Sequence, residues 1–249
     1  MKSLVNPWGG LVRFVERTTS TMDEARVLAA SGAPSGSFVW AWEQTKGRGR
    51  YPDRRWEARP QDALLTTIFW KVGAFKVPSF AFSLTVALGL VQALEPWAQG
   101  GRFAVKWPND LLFEPEDPAS PARKVAGILT AVRREGGELW IHAGIGLNLR
   151  RPAGDSFRRP AGAVSDLGLD WSPERALEIL LPSLKKALDD PDPRASLVPH
   201  LWSWGEPAVW DLPTPEGGRT VEGRIVRLEP TGALVLQTNE GVFTVYSGE

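Results

Sequence analysis

The chain has 249 residues, 43% of them apolar, with 29 basic and 29 acidic side chains and a formal net charge of zero. That length and composition suit one large domain, or a domain plus a small module, and the charge balance exerts no general pull toward nucleic acid or an anionic membrane. There is no cysteine and there are only two histidines, His142 and His200, which excludes disulfides, thiol catalysis and Cys- or His-rich metal centres.

Met1 to Gly10 lacks the apolar core of a secretory signal, and no segment reaches the roughly 18 continuous apolar residues of a membrane span. A cytoplasmic location is therefore expected. Leu11 to Glu16 reads as a short strand. After Thr18-Thr19-Ser20-Thr21, a helix is expected over Met22 to Ala30, with Ser20 or Thr21 as its N-cap and Asp23 and Glu24 at its positive end. A capping role alone accounts for these hydroxyls. Phe38 to Glu43 alternates as a strand, with Val39 and Ala41 set against Trp40 and Trp42.

The next stretch is Gln44-Thr45-Lys46-Gly47-Arg48-Gly49-Arg50, followed by Tyr51-Pro52-Asp53-Arg54-Arg55-Trp56. Two glycines two apart let backbone N–H groups approach a phosphate. Lys46, Arg48, Arg50, Arg54 and Arg55 place five positive charges within ten residues. The spacing fits neither a Walker loop nor a Rossmann turn, and a solvated loop is the simpler account of it in isolation.

Ala63 to Trp70 is apolar and β-rich enough for a central strand. Pro78 to Leu94 carries helical spacing at Phe80, Leu84, Ala87, Leu88, Val91 and Leu94, with Pro78 in its first turn and Pro96 beyond its end. Phe103 to Trp107 reads as the end of a strand that Pro108 terminates, since proline has no N–H to donate. Asn109 and Asp110 follow at that strand end, Leu111 to Phe113 resumes an apolar run, and Glu114 to Arg123 reads as an exposed hairpin tip. Lys124 to Val132 is the second strand. A hairpin that gathers Asn109, Asp110 and lysines around one cleft suits a phosphate-bearing ligand, because lysine supplies a point charge and a carboxylate can hold Mg²⁺ or orient an amine. A turn with solvated charges explains the same residues equally well.

Gly136-Gly137 is read as a turn into an antiparallel strand over Leu139 to Ile145. It runs into Gly144-Ile145-Gly146-Leu147-Asn148-Leu149, either a close backbone approach to a ligand or a β-bulge closed by an asparagine turn. Arg150 to Gly162 is a basic, proline-bearing loop. Ser172-Pro173-Glu174 starts a helix that runs to about Leu188, and Asp189 to Pro193 breaks it. From Gly205 the texture changes to short β-prone runs, Thr220 to Leu228, Ala233 to Thr238 and Val242 to Tyr246, with turns between them. The reading is a domain over residues 1–204 and a small β-barrel or partial barrel over residues 205–249. Trp202 and Trp204 form no recognisable motif.

Four features thus stand in order: Gly47-Arg48-Gly49-Arg50, Lys106-Trp107-Pro108-Asn109-Asp110, Lys124-Val125-Ala126-Gly127-Ile128-Leu129 and Gly144-Ile145-Gly146-Leu147-Asn148. Together, from about Thr18 to the C-terminus, they resemble the biotin protein ligases (biotin–[acetyl-CoA-carboxylase] ligases). The resemblance implies an α+β fold: a mixed sheet flanked by helices, like class II aminoacyl-tRNA synthetases, with a C-terminal SH3-like module. It implies a two-step reaction in which the carboxylate of biotin attacks the α-phosphate of ATP. A lysine of a biotin carboxyl carrier protein, such as the acetyl-CoA carboxylase subunit, then takes the biotinyl group and releases AMP. The cofactors implied are ATP and Mg²⁺, with biotin as substrate.

By the same resemblance Lys124, Arg50 and Asp110 match catalytic positions. Lys124 bridges the biotin carboxyl and the α-phosphate, and Asp110 orients or deprotonates the incoming lysine. Ser20, Thr21, Gln44, Gly47, Arg48, Lys124 and Gly127 match biotin-binding positions. Arg48, Arg50, Trp56, Lys106, Asn109, Lys124 and Asn148 match ATP-binding positions, with no direct metal motif beyond Mg²⁺ near Asn109 and Asp110. Between Arg50 and Trp56 this chain is longer than the usual pattern, and Ala161 to Ser165 is small where some members carry an aromatic against adenine. About ten residues precede Leu11, too few for a helix-turn-helix, so the enzyme-only class without a nucleic-acid partner is expected. The resemblance also allows two copies to pair through an edge strand. The rival readings are a lipoate–protein ligase and a sensor that binds biotin without transferring it.

Overall fold

A computed structural model describes residues 4–74, 81–152, 159–212 and 218–246. A seven-stranded mixed sheet is built from β1 (Val12–Thr18), β2 (Ser37–Gln44), β3 (Ala63–Lys71), β4 (Gly101–Lys106), β5 (Asp110–Pro115), β6 (Arg123–Glu135) and β7 (Glu138–Asn148). Their order across the sheet is β1-β2-β3-β7-β6-β5-β4. Only β1 and β2 run parallel, joined by α1 (Thr21–Ala30); every other neighbouring pair is antiparallel.

The alternation read from the sequence sorts the strands' side chains into two layers. Phe38, Trp40, Ile68, Trp70 and Ile141 face the large core beneath α2 (Phe82–Leu94) and α3 (Pro173–Leu188). Val39, Phe69 and Trp140 face the other way and pack with Ala25 and Ala29 of α1. Small residues on that helix let it lie close to the sheet. Twelve of the thirteen residues of α2 are buried, because the helix is covered by the sheet on one side and by α3 and α4 (Pro193–Leu197) on the other.

Several expectations are met. Ser20 caps α1 by accepting from Met22 N, and Ser172 caps α3 by accepting from Arg175 N, with Pro173 in the first turn. Others are corrected. The described part of the second helix begins at Phe82, with Ala81 at its N-cap position; Pro78 and Phe80 lie outside the described residues. β6 continues past Val132 to Glu135, since both strands of its hairpin stay paired to the glycine turn. β7 continues past Ile145 to Asn148 with an unbroken ladder to β3, so there is no bulge in that segment.

The C-terminal part is a four-stranded antiparallel sheet, β11-β10-β9-β8. Three of its strands match expected runs: β9 (Arg219–Leu228), β10 (Leu234–Thr238) and β11 (Gly241–Val245). The fourth, β8 (Pro207–Leu212), escaped the sequence reading because a proline opens it, which is tolerated at the first residue of an edge strand. Trp210, Ile225, Leu234 and Leu236 belong to the same apolar cluster as Leu84 and Trp107. The indole Nε1 of Trp107 donates to Gly232 O at 2.9 Å, and Gly205 N donates to Ile225 O at 3.2 Å.

Candidate active site

The turn between β4 and β5 is stitched to β6. Asn109 O accepts from Ile128 N at 2.8 Å, and Asn109 Nδ2 donates to Ile128 O at 2.9 Å. Asp110 begins β5 opposite Gly127. Lys124 and Gly127 are three residues apart, and in a regular strand they would point to opposite faces. The β5–β6 ladder, however, skips a residue: Leu111 pairs with Ala126 and Leu112 with Lys124. This bulge at Val125 turns Lys124 onto the face of Gly127 and Asp110. Lys124 Nζ consequently lies 2.8 Å from Asp110 Oδ1, and a Cβ built on Gly127 would lie 3.4 Å from Lys124 Nζ.

Gly127 is the cross-strand partner of Gly146 on β7. The two leave a flat floor, and the indole of Trp56 lies on it. A Cβ on Gly146 would sit 2.4 Å from Trp56 Cε2, and one on Gly127 would sit 2.9 Å from Trp56 Cζ3. No real Cβ tolerates such contacts, so both positions require glycine while Trp56 stays in place. Lys124 Nζ is 5.8 Å from the centre of the same ring.

At one end of the floor the start of α1 meets the end of β2. Gln44 Oε1 accepts from Thr21 N at 2.7 Å and from Thr21 Oγ1 at 3.0 Å. Thr21 Oγ1 also lies 2.8 Å from Thr67 Oγ1. A hydroxyl has one proton, so when Thr21 gives its own to Gln44 it accepts from Thr67. The Gln44 amide is thereby oriented with its oxygen on the helix and its donor side turned elsewhere.

The glycine–arginine stretch is a small ordered hairpin. Arg48 and Arg55 form an antiparallel bridge, Gly49 N donates to Arg54 O at 2.9 Å, and Trp56 N donates to Gly47 O at 3.2 Å. Arg48 is ion-paired with Asp23 in the first turn of α1. The guanidiniums of Arg50 and Arg54 lie 5.4 Å and 4.5 Å from the ring centre of Tyr51.

These parts enclose one cavity of about 600 Å³, a size that suits a small-molecule substrate. Seven cationic side chains line it, from the hairpin, Lys106, Lys124 and Arg159, against four anionic ones. In a chain with zero net charge that excess marks an anion site. Of the expected residues, Ser20, Thr21, Gln44, Arg48, Arg50, Trp56, Lys106, Asn109, Asp110, Lys124, Gly127 and Asn148 all reach its wall. Gly47 is buried behind it, where a Cβ would strike Trp56 O. Trp56, expected with the nucleotide, lies on the glycine floor. Asn148 spends its Nδ2 on Gly162 O at 2.9 Å.

Sequence reasoning missed the other wall. Trp202, Val209, Trp210 and Asp211 line the cavity, and Arg159 stacks over Trp202 at 4.9 Å. No local pattern marks them: Val209, Trp210 and Asp211 arrive on β8, and Trp202 is held beside β4, where its N donates to Val105 O at 2.9 Å. Among the described residues no cluster of three His, Cys, Asp or Glu side chains could hold a metal unaided.

The sequence model of the biotin/lipoate A/B protein ligase family matches residues 14–149, and that of the biotin protein ligase C-terminal domain matches residues 212–249. The bifunctional ligase/repressor BirA of Bacillus subtilis (strain 168) is 28% identical over 243 residues, covering 93% of this chain and 70% of its own. The biotin–[acetyl-CoA-carboxylase] ligase of Paracoccus denitrificans is 30% identical, covering 92% of this chain and 95% of its own. Among solved structures, the biotin protein ligase of Aquifex aeolicus in complex with biotin and ATP superposes with a TM-score of 0.75 at 23% identity, over 96% of this chain and 97% of that one. That likeness is one of fold. The family match spans all four motifs from the glycine–arginine hairpin to Asn148, and the chain is a member of the biotin/lipoate A/B protein ligase family.

Proposed function

We propose that this protein is an ATP-dependent biotin–protein ligase, which forms biotinyl-5′-AMP and passes the biotinyl group to a lysine of a biotin carboxyl carrier protein. The observation that carries this reading is the bulge-directed Lys124, 2.8 Å from Asp110 in a cation-lined cavity. The names of the Paracoccus relative and of the C-terminal domain model favour biotin over lipoate.

The reacting nucleophiles belong to the substrates, so the protein's task is positioning and charge. In the first step an oxygen of the biotin carboxylate bonds to the α-phosphorus as the bond to pyrophosphate breaks. Lys124 stands between those two anions, with Arg48 and Arg50 supplying further positive charge. Engagement of Lys124 by these anions takes it from Asp110. The freed carboxylate is then available to orient the incoming lysine amine and take its proton as the nitrogen attacks the acyl carbon and AMP leaves. The Thr67–Thr21–Gln44 chain presents fixed polar groups to a ureido head.

Mg²⁺ binds with few protein donors and its own waters when phosphates supply the rest. Asp110 and Asn109 are the oxygen-bearing side chains at the phosphate end, a set that fits a nucleotide-borne ion and no resident one. Mg²⁺ would there offset the charge of the triphosphate.

The finer assignments follow the same reading: an acetyl-CoA carboxylase subunit as carrier, a domain division near Gly205, no nucleic-acid partner, and a cytoplasmic location alongside ATP. Among the described residues no helix is long and apolar enough to cross a membrane. β1 is an edge strand, and pairing of two copies through it would make a homodimer that sedimentation can detect. The central test supplies ATP, Mg²⁺, a carrier domain and either biotin or lipoate. A carrier mass gain with biotin alone is expected. Gain with lipoate alone, or adenylate that stays bound without transfer, would replace this reading with one of its rivals.

A further inference from the structure

The ladder between β7 and β6 ends where Ala126 pairs with Leu147. Beyond it, residues 160–162 take the place of β7. Lys124 N donates to Pro160 O at 2.8 Å, Gly162 N donates to Lys124 O at 2.9 Å, and Lys124 and Ala161 form a one-residue parallel bridge. The backbone of Lys124 is therefore held by a strap added to the sheet for one residue only.

That strap is anchored by Asp166, in the 3-10 turn Val164–Leu167. Asp166 Oδ2 accepts from Ala163 N at 3.1 Å and lies 3.8 Å from Arg123 Nη1. Asp166 Oδ1 accepts from Arg151 Nε at 2.6 Å. Its side chain is only 11% exposed, so the carboxylate is withdrawn from water and matched by two guanidiniums. One belongs to the residue preceding Lys124 on β6; the other follows the end of β7. Asp166 does not line the cavity, so it touches no ligand there. The bond that this mostly buried carboxylate accepts from Arg151 is charge-assisted, the stronger kind, and the Arg123 guanidinium adds an ion contact.

We infer that Asp166 is a positioning residue for Lys124: it clamps the strap and Arg123 together, and so fixes the backbone from which the Lys124 amine reaches the reacting carboxylate and phosphate. The inference rests on the ligase reading and deepens it. Displacement of a catalytic amine by about 1 Å is enough to cost around a hundredfold in rate. Asp166→Asn keeps the shape and one acceptor but removes the charge.

The test uses the full chain and biotin-dependent exchange of pyrophosphate into ATP. Asp166→Asn is expected to lower kcat at least about tenfold while KM for biotin and ATP moves less than about twofold. In a Lys124→Ala background the same change is expected to cost nothing more, because it acts through the amine that is gone. Wild-type kcat in Asp166→Asn, a matched rise in KM, or losses that add in full would overturn the proposal. Should Asp166→Asn fail to fold, Arg151→Ala releases the same carboxylate from the side away from Lys124 and is read by the same two measurements, with wild-type kcat again overturning it. A wild-type protein that exchanges no pyrophosphate would instead remove the ligase reading on which the proposal stands.

Discussion

Lys124 and His142 show how differently two buried-side polar groups are used. Lys124 has a charged partner, Asp110, and a cavity in front of it. On the proposed ligase reading, truncation to Ala is expected to lower kcat for adenylate formation by about a hundredfold or more with little change in biotin affinity, because that reading puts the amine where charge develops. Equal losses in rate and in calorimetric affinity would count against that role. His142 is fully buried beside Phe69, and among the described residues neither ring nitrogen has a hydrogen-bond partner. Burial pushes its pKa down to about 4, helped by Arg26 and Arg133 and opposed by Glu135. The unfolded chain therefore binds a proton at higher pH than the folded one, and stability falls as pH drops through the window from 6.5 toward about 4. Between pH 7 and pH 5 this one group should remove about 2 kcal/mol, read as a lower urea midpoint. His142→Leu should flatten that slope; an unchanged slope would assign the acid sensitivity elsewhere.

At the scale of elements, the site is made by strands that depart from regularity in one place and keep it in another. The bulge at Val125 turns Lys124 onto the face of Gly127. The straight pairing of Gly127 with Gly146 makes the floor for Trp56. Gly146→Ala would place a methyl 2.4 Å from Trp56 Cε2, so the indole must leave. The expected result is a loss of ligand affinity of about tenfold or more, measured for both biotin and ATP, with the double change Gly146→Ala plus Trp56→Ala no worse than Trp56→Ala alone. Additive losses would mean the two residues act independently. The capped helix starts at Ser20 and Ser172 were legible in the sequence because a cap is settled within four residues. The strand continuing to Asn148 was not, because glycine and asparagine read locally as a turn while two neighbouring strands hold them extended.

At the scale of the molecule, the small C-terminal sheet is tied to the main domain through buried groups. Trp107 is 1% exposed, and its Nε1 has Gly232 O as partner. Trp107→Phe keeps most of the apolar contact but strands that carbonyl, which should cost about 1–3 kcal/mol. A lower melting midpoint, with Trp210 and Asp211 shifted at the cavity wall, is the expected readout. An unchanged midpoint would show that docking does not depend on this bond. Residues from this sheet complete the cavity, so loosening it should also weaken ligand binding there.

The sequence by itself carried the resemblance to the family, most of the strands and helices, and twelve of the residues that line the cavity. The elements follow from short-range rules, period-two and helical spacing and caps, while the family and the site residues came from the resemblance of four motifs in order. Only the tertiary structure decided that Trp56 lies on two paired glycines, that Val125 is the bulged residue, and that β8 brings Val209, Trp210 and Asp211 to the site. Each of these depends on partners from other strands, and a pattern of neighbours along the chain carries no information about which strand will stand beside it.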